Sequence, residues 1–519
     1  MTIISPESTN SAHDGFEDRI SIRAEDDTTS TSLPNPGPMA IFVVLAAIAV
    51  GLVAALLFSA AAPDTTLIIL GGTLLGAAIL GVIGLYRYEW FLLITLTIRP
   101  ALDDLIADQF GTFQPSAILG ILVIGVSLLH LISRKMSGNW TPLTPLGWAF
   151  IGFFVLFLPS FVTSVDRGVS QAALFGLASV MLIYLAIEQK LQEDRKFLYR
   201  LLAATGIGLV VPIVVGFVQF FFTGTLDPGG SGLVRIDGSF AHPNTFATYL
   251  SFVILISISL IPVMTVERKL LAFTVSGIGM FLLVVTFARG AWASFLIGTL
   301  VLAARINKKA VFGIIGGAAL VGVGVPGVRG RIENLFATTG ANGGVKTDDS
   351  LAWRLGYWER IAPLFNRNPV TGLGIDATKT QTPEGKDPHN SFLQAFLEGG
   401  IIGGVGFLLL LAVAAYAGRK VWQMARRDEL DPRIKLISVG AIAALMSVAA
   451  QLITENVLLN TIVWWYLNIA FALLAVLTWG KRTKDTHIIN PEADSASQDF
   501  SMAALPAGQA QDTTTSPVQ

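Results

Sequence analysis

The sequence has no cysteine and little charge: of 519 residues none is Cys, and Asp, Glu, Lys and Arg together make up 14%. Without thiols there are no disulfides, no cysteine nucleophile, no cysteine-ligated zinc and no iron–sulfur centre. So little charge excludes a string of soluble domains, whose surfaces ordinarily bring charged residues to about 25%. Histidine is also scarce, with 5 residues, so side chains that titrate near neutrality stand at few places. The net charge of −1 says little, because in a membrane protein the placement of charge matters; nucleic acid is not among the expected partners. What is abundant is apolar: AVILMFWYC reach 53%, Gly adds 51 residues, and the mean hydropathy is +0.64. Lipid is therefore the expected solvent, and the fold class is an all-α polytopic membrane protein. Its chemistry has to come from His, Arg, carboxylates and hydroxyls.

Residues 1–38 and 484–519 are polar and have nothing to pack, so both are expected to be disordered tails. The first lacks the basic lead-in of a signal peptide. Between them, apolar stretches near the ~20 residues that cross a hydrocarbon core lie at 39–60, 67–86, 115–132, 143–162, 169–187, 198–222, 243–265, 270–287, 291–304, 310–326, 391–417, 436–455 and 460–479. A shorter segment, Tyr88 to Ile98, makes the count 13 or 14. With 14 spans and a cytoplasmic N-terminus, the inner loops hold 20 Lys and Arg and the short outer loops only Arg99, Arg167, Arg235 and Arg289. Basic residues collect on the cytoplasmic side, so 14 spans with both termini inside is the expected topology.

One connection is long. Residues 327–390 form a polar excursion on the expected outer face, and the run Leu351, Leu355, Trp358 and Ala362 marks an amphipathic helix. Asp349 or Ser350 would cap it and Pro363 would end or kink it. Such a loop on one face of a helix bundle usually carries function. There is no inverted repeat of the transporter kind, and Gln219, Gln451, Glu455 and Asn468, within spans or at their ends, do not recur in matched halves. A polysaccharide or lipid flippase is nevertheless the alternative of another class. It would favour charges lining a central cavity and short loops on both faces.

The costly polar residues gather on the expected outer face: Arg235, His242 and Asn244 before one span, Arg289 in a tight apolar turn, and Arg354, Arg360, His389 and Asn390 in and after the long loop. His242-Pro243-Asn244 and Pro388-His389-Asn390-Ser391 each open a helix whose N-terminus would face outward, an anion site by its free N–H groups. Arginines around such termini would grip a diphosphate. His389 could take a proton from a sugar hydroxyl, or it could be an interfacial side chain before a helix capped by Asn390 and Ser391. Arg289 could instead be a snorkelling side chain, and Arg354 could merely solvate the polar face of its helix. Glu398, ~13 Å from His389 along a helix axis, would neutralise an arginine or bond a neighbouring helix. His130 reads as interfacial, and His13 and His487 lie in the tails. Asp103, Asp104 and Asp108 form the one acidic cluster that could hold a divalent metal on that side, but adjacent carboxylates in a solvated loop are the plainer explanation, and no metal is expected.

Taken together, Arg235-x-x-Gly238-x-Phe240-x-His242-Pro243-Asn244, Thr286-Phe287-Ala288-Arg289-Gly290-Ala291, Arg354-x-x-x-Trp358, Pro369-Val370-Thr371-Gly372-Leu373-Gly374 and Pro388-His389-Asn390-Ser391-Phe392-Leu393-Gln394, running on to Glu398-Gly399-Gly400, resemble the O-antigen ligase and Wzy-type polymerase superfamily. The resemblance covers about 205–415. It implies a domain plan of 1–38 tail, 39–204 first transmembrane helices, 205–415 catalytic region, 416–483 last transmembrane helices and 484–519 tail. It further implies an inverting glycosyltransferase of the bacterial cytoplasmic membrane acting on a polyprenyl-diphosphate-linked glycan at the outer face, with no metal, cofactor or nucleotide sugar. Arg289 would stabilise the leaving diphosphate, Arg354 would be a second phosphate contact, and His389 would position or deprotonate the acceptor hydroxyl. Arg235, His242, Asn244, Arg360, Asn390 and Glu398 are the further candidates for substrate binding. Ala288 stands where the family usually has Ser or Thr, so a hydroxyl contact is missing there. A polymerase, adding to a lipid-linked repeat unit in surface or exopolysaccharide synthesis, is favoured over a ligase that transfers to lipid A core or another acceptor. A chain-length regulator and a flippase of the same pathway are candidate partners.

Overall fold

A computed structural model describes residues 65–103, 115–223, 225–226, 234–306, 308–324, 326–333 and 351–480. The expected tails, the span at 39–60, Asp104, Asp108, Asp349, Ser350, His13 and His487 lie outside the described residues. In chain order the helices are α1 (Thr65–Tyr86), α2 (Tyr88–Ile98), α3 (Pro115–Met136), α4 (Pro145–Val162), α5 (Arg167–Glu193), α6 (Phe197–Gly208) and α7 (Val210–Val218). A two-residue antiparallel pair, β1 (Thr225–Leu226) with β2 (Val234–Arg235), precedes α8 (Pro243–Leu260), α9 (Val266–Val285), α10 (Arg289–Ile306), α11 (Lys308–Gly324) and α12 (Pro326–Glu333). Then come α13 (Leu351–Ile361), α14 (Ser391–Arg426), α15 (Pro432–Gln451) and α16 (Thr461–Trp479).

Each apolar stretch predicted from residue 67 onward falls on helix, and 9 helical stretches among the described residues are long and apolar enough to cross a membrane. The chain is a membrane protein. The expected count of 14 is not reached by that measure, and α2 shows one reason. Its 11 residues rise only about 16 Å, roughly half a hydrocarbon core.

Local sequence sets where helices begin. Thr144, Asp166, Asn390, Asp431 and Asn460 each accept a hydrogen bond from a backbone N–H of the first turn, and Pro145, Pro243 and Pro432 open their helices where no N–H is needed. α16 is the central pillar, with Trp464, Trp465, Tyr466 and Phe471 all buried against neighbouring helices. Its polar groups are bonded across helices: Asn468 Nδ2 donates to the Val180 carbonyl at 2.9 Å and Trp465 Nε1 to Ser179 Oγ at 3.1 Å. Unpaired, such groups would cost several kcal/mol in lipid. α3 and α9, by contrast, leave most of their apolar surface open, as lipid-facing helices do.

α14 corrects the expectation of one continuous span from residue 391. Gly400 leaves the helical conformation (φ 60, ψ −162), and the two halves fold against each other. Phe392 and Phe407 have ring centroids 5.8 Å apart, whereas 15 residues of straight helix would separate them by about 22 Å. The segment 369–374 crosses the break and satisfies its backbone: Leu373 N donates to the Leu397 carbonyl at 2.9 Å, Gly374 N to Glu398 O at 3.2 Å, and Ile401 N to Pro369 O at 2.8 Å. Thus 391–399 is a short separate helix, buttressed by α4 through the Ser160 hydroxyl, which donates to the Glu398 carbonyl.

Candidate active site

The N-termini of α8, α10 and α14, the turn from α15 to α16 and the segment 362–390 meet at one end of the bundle, where two cavities adjoin. The first, about 350 Å³, is polar and lined among others by His242, Asn244, Thr248, Asp376, Lys379, Asp387, His389, Gln394, Gln451, Glu455, Asn456 and Asn460. The second, about 360 Å³, is mostly apolar and carries three guanidinium groups, Arg235, Arg289 and Arg354, beside Phe287, Trp292 and Leu351. Asn244 and Glu455 line both.

Glu455 is the shared wall. Asn244 Nδ2 donates to its Oε2 at 2.7 Å, and Arg354 Nη2 approaches its Oε1 at 3.3 Å while Arg354 Nη1 donates to the Thr454 carbonyl at 2.6 Å. Ser391 holds the turn that presents Glu455: its hydroxyl donates to the Glu455 carbonyl at 2.8 Å and accepts from Val457 N at 2.9 Å. Both charged side chains of the ion pair are largely buried, and removing one partner of such a pair usually costs about 3–5 kcal/mol. Glu455→Ala is therefore expected to lower the unfolding temperature as well as to loosen Arg354. An unchanged melting curve in detergent would show that the pair carries no stability.

The predicted helix exists as α13, but its buried face is not the predicted stripe. Leu355 is 52% exposed and Ala362 is exposed, whereas Arg354 is 9% exposed and Tyr357 and Ile361 are buried. Arg354 is drawn inward by Glu455, and the alternative in which it merely solvates a polar face gives way to a buried ion pair. The opposite end of the Arg354-x-x-x-Trp358 motif fixes the loop: Trp358 Nε1 donates to the Pro388 carbonyl and the Tyr357 hydroxyl to the Lys386 carbonyl, both at 2.6 Å. α13 thereby joins the arginine cavity to the segment that bears Asp387 and His389.

The remaining candidates divide. Arg289 opens α10 two residues after Phe287, whose positive φ (51°) makes the turn from α9 possible within three residues. Thr286, two residues before the Ala288 that departs from the family pattern, uses its hydroxyl in the turn, accepting from Ala288 N at 3.3 Å. Arg235 Nε donates to the Thr286 carbonyl at 3.0 Å. His242 caps α8, accepting from Asn244 N at 3.1 Å on Nδ1. His389, also at positive φ (50°), stands edge-on to Trp353 with centroids 6.2 Å apart and has its Nδ1 3.5 Å from Asn456 Nδ2. Three candidates lie outside both cavities. Arg360 is half-exposed, paired with Glu384 at 3.1 Å and lying over Tyr357. Asn390 is the cap of α14, accepting from Phe392 N and Leu393 N. Glu398 is buried and accepts from Asp376 N at 2.8 Å, which anchors the loop, and no arginine pairs with it among the described residues. Asp103 pairs with Arg99 at 3.0 Å and accepts from Ala241 N, and among the described residues no group of three or more His, Asp or Glu is placed to hold a metal. His130 stacks on Tyr88 at 3.8 Å, away from the site.

Asp376, Lys379 and Asp387 were not among the expected site residues. Lys379 Nζ lies 2.6 Å from Asp376 Oδ2, and the Asp376 carboxylate acts on Asp387 by its charge. Burial, and after it the charge of Asp376, pushes Asp387 up to about 6. Burial also raises Asp376, against the pull of Lys379. Lys379 is itself opposed by burial, yet is held above its ordinary range by Asp376.

Residues 274–408 match the family model described as O-antigen ligase. The chain carries an O-antigen ligase domain. That domain supplies Arg289, Arg354, His389, the loop carboxylates and the Gly400 break, while Arg235, His242, Asn244 and Glu455 reach the same two cavities from outside the matched residues. An O-antigen ligase domain makes this a membrane enzyme that transfers glycan. No curated protein matches the chain.

Proposed function

We propose that the protein is a glycosyltransferase of the bacterial cytoplasmic membrane that polymerises polyprenyl-diphosphate-linked oligosaccharide repeat units at the outer face, for a surface or exopolysaccharide. The observation that carries this is the adjacency of an apolar cavity with three arginines and a polar cavity with amides, carboxylates and two histidines. The first suits a lipid-borne diphosphate, because guanidinium stays charged in an apolar setting and grips phosphate in a fork. The second suits a sugar, whose hydroxyls need many donors and acceptors. The N-terminus of α10, at Arg289, adds a dipole favourable to the same anion.

In this reading the donor diphosphate lies against Arg289, Arg354 and Arg235, and an acceptor hydroxyl from the polar cavity attacks the anomeric carbon on the face opposite the diphosphate. The bond to the diphosphate oxygen breaks with inversion, and the arginines stabilise the charge that develops on the leaving group. His389 positions the hydroxyl or takes its proton. Metal and nucleotide sugar have no part in the scheme. The excess of basic residues in the loops on one side supports a cytoplasmic position for both termini.

Transfer to lipid A core or another acceptor is the second reading, favoured by the description of the matching family. Purified protein given only the lipid-linked repeat separates the two. A polymerase is expected to produce a ladder of lengthening glycans, and the absence of any ladder, with transfer restored by adding a different acceptor, would assign a ligase.

A further inference from the structure

Four groups in or beside the polar cavity could receive a proton: His389, His242, Glu455 and the Asp376–Asp387 pair. Glu455 is committed to Asn244 and Arg354. His242 is committed through Nδ1 to capping α8. In the carboxylate pair the two members differ. Asp376 is neutralised by Lys379 at 2.6 Å, and its backbone N–H is held by Glu398 at 2.8 Å, so it is fixed in place as the charged partner. Asp387 makes no ion pair among the described residues, Lys379 acting on it more weakly than Asp376 does, and its Oδ1 is sealed from solvent with no hydrogen-bond partner among the described residues. Its position is set from both sides, because Tyr357 bonds the Lys386 carbonyl and Trp358 the Pro388 carbonyl. A carboxylate that is rigidly placed, poorly compensated and on the wall of a polar cavity has the properties of a general base.

We propose that Asp387 is the catalytic base of the transfer and that His389 is a positioning residue for the acceptor. The inference rests on the transferase reading. As the acceptor oxygen forms its bond to the anomeric carbon, its proton passes to the Asp387 carboxylate, and the electron pair of the breaking carbon–oxygen bond leaves with the diphosphate. Asp376 and Lys379 act on Asp387 with opposite sign, Asp376 the more strongly, and Asp376, Lys379, His389, His242 and Glu455 line the cavity with it. The charge of Asp376 outweighs that of Lys379 at Asp387 and favours the protonated product of the step. A base that is half protonated at about 6 is ionised at neutral pH and still basic enough to help.

The test uses full-length protein in lipid nanodiscs, with the polyprenyl-diphosphate glycan that accumulates in cells lacking the protein as the substrate. Wild-type turnover should fall as the pH drops through about 6. Asp387→Asn should reduce turnover by about 10² or more, leave KM for the donor unchanged and remove the acidic limb. Asp387→Glu should recover part of the rate with the limb displaced. Asp387→Asn that turns over like the wild type, or an acidic limb that persists in it and vanishes in His389→Ala, overturns the assignment. If the Asn variant does not fold, as judged by its melting curve, a limb left undisplaced in a folded Asp387→Glu overturns it equally. Inactivity of Arg289→Ala beside full activity of Asp387→Asn would remove the base and leave the transferase standing, whereas full activity of Arg289→Ala would remove the transferase itself.

Discussion

Arg289→Ala is expected to abolish glycan transfer while the protein still reaches the membrane at its usual level. Arg289 is half-buried at the head of α10, in a cavity whose other walls are largely Phe287, Ala288, Trp292 and Leu351. In so apolar a setting a fixed cation acts strongly on charge that develops nearby, and removing one such donor from a transition state typically costs about 10²–10³ in rate, or about 2.7–4 kcal/mol. Arg289→Lys should recover only part of the loss, since an ammonium restores the charge without the planar fork. Glycan length and yield on a gel, set against the amount of protein in the membrane fraction, decide the matter. Wild-type length and yield in Arg289→Ala would sink the transferase assignment.

Gly400→Ala is expected to destroy the site from outside it. Gly400 adopts φ 60 and ψ −162, a region open essentially to glycine alone and costing other residues about 1–3 kcal/mol. A Cβ there would also overlap the Val370 carbonyl, and one at Gly372 would overlap the Glu398 carbonyl, because the two segments cross backbone to backbone. Relieving that overlap adds about 1–3 kcal/mol and pulls 369–374 off the helix break. Glu398 would then lose Asp376, and the loop that bears Asp387 and His389 would lose one of its moorings. The expected outcome is a markedly lower unfolding temperature together with loss of transfer. A Gly400→Ala protein that melts with the wild type would mean that the crossing does not depend on glycine.

The sequence made the helices legible because a span must be apolar over a fixed length, and the cap at Asn390 has an equally local cause. It also made Arg235, His242, Asn244, Arg289, Arg354 and His389 legible as one group, since polar residues are costly beside lipid and few. Glu455, Asp376, Lys379 and Asp387 were less so. Glu455 lies just past α15 in a turn, and only tertiary contact shows that it meets Arg354, 101 residues away. An ionisable residue at a span end was the signal available. The loop carboxylates stood among ordinary polar residues, where nothing local separates a solvated Asp from a buried one. The stripe on α13 was misjudged for a related reason. Periodicity counts apolar residues, and an arginine on the buried face inverts the count. Gly400 was visible as a glycine, but a run that stays apolar on both sides of a break looks like one helix.

Because the Glu455 carboxylate holds Asn244 with one oxygen and faces Arg354 with the other, the two cavities do not fill independently. A diphosphate that draws Arg354 away frees one side of that carboxylate and changes how firmly it holds Asn244 on the other. Thermodynamic linkage makes the effect mutual: whatever factor the donor exerts on acceptor affinity, the acceptor exerts on donor affinity. An enzyme wired in this way favours the fully loaded state over either half-loaded one when the factor exceeds one, and it then spends little time holding an activated glycan with no sugar hydroxyl beside it, when water is the competing nucleophile.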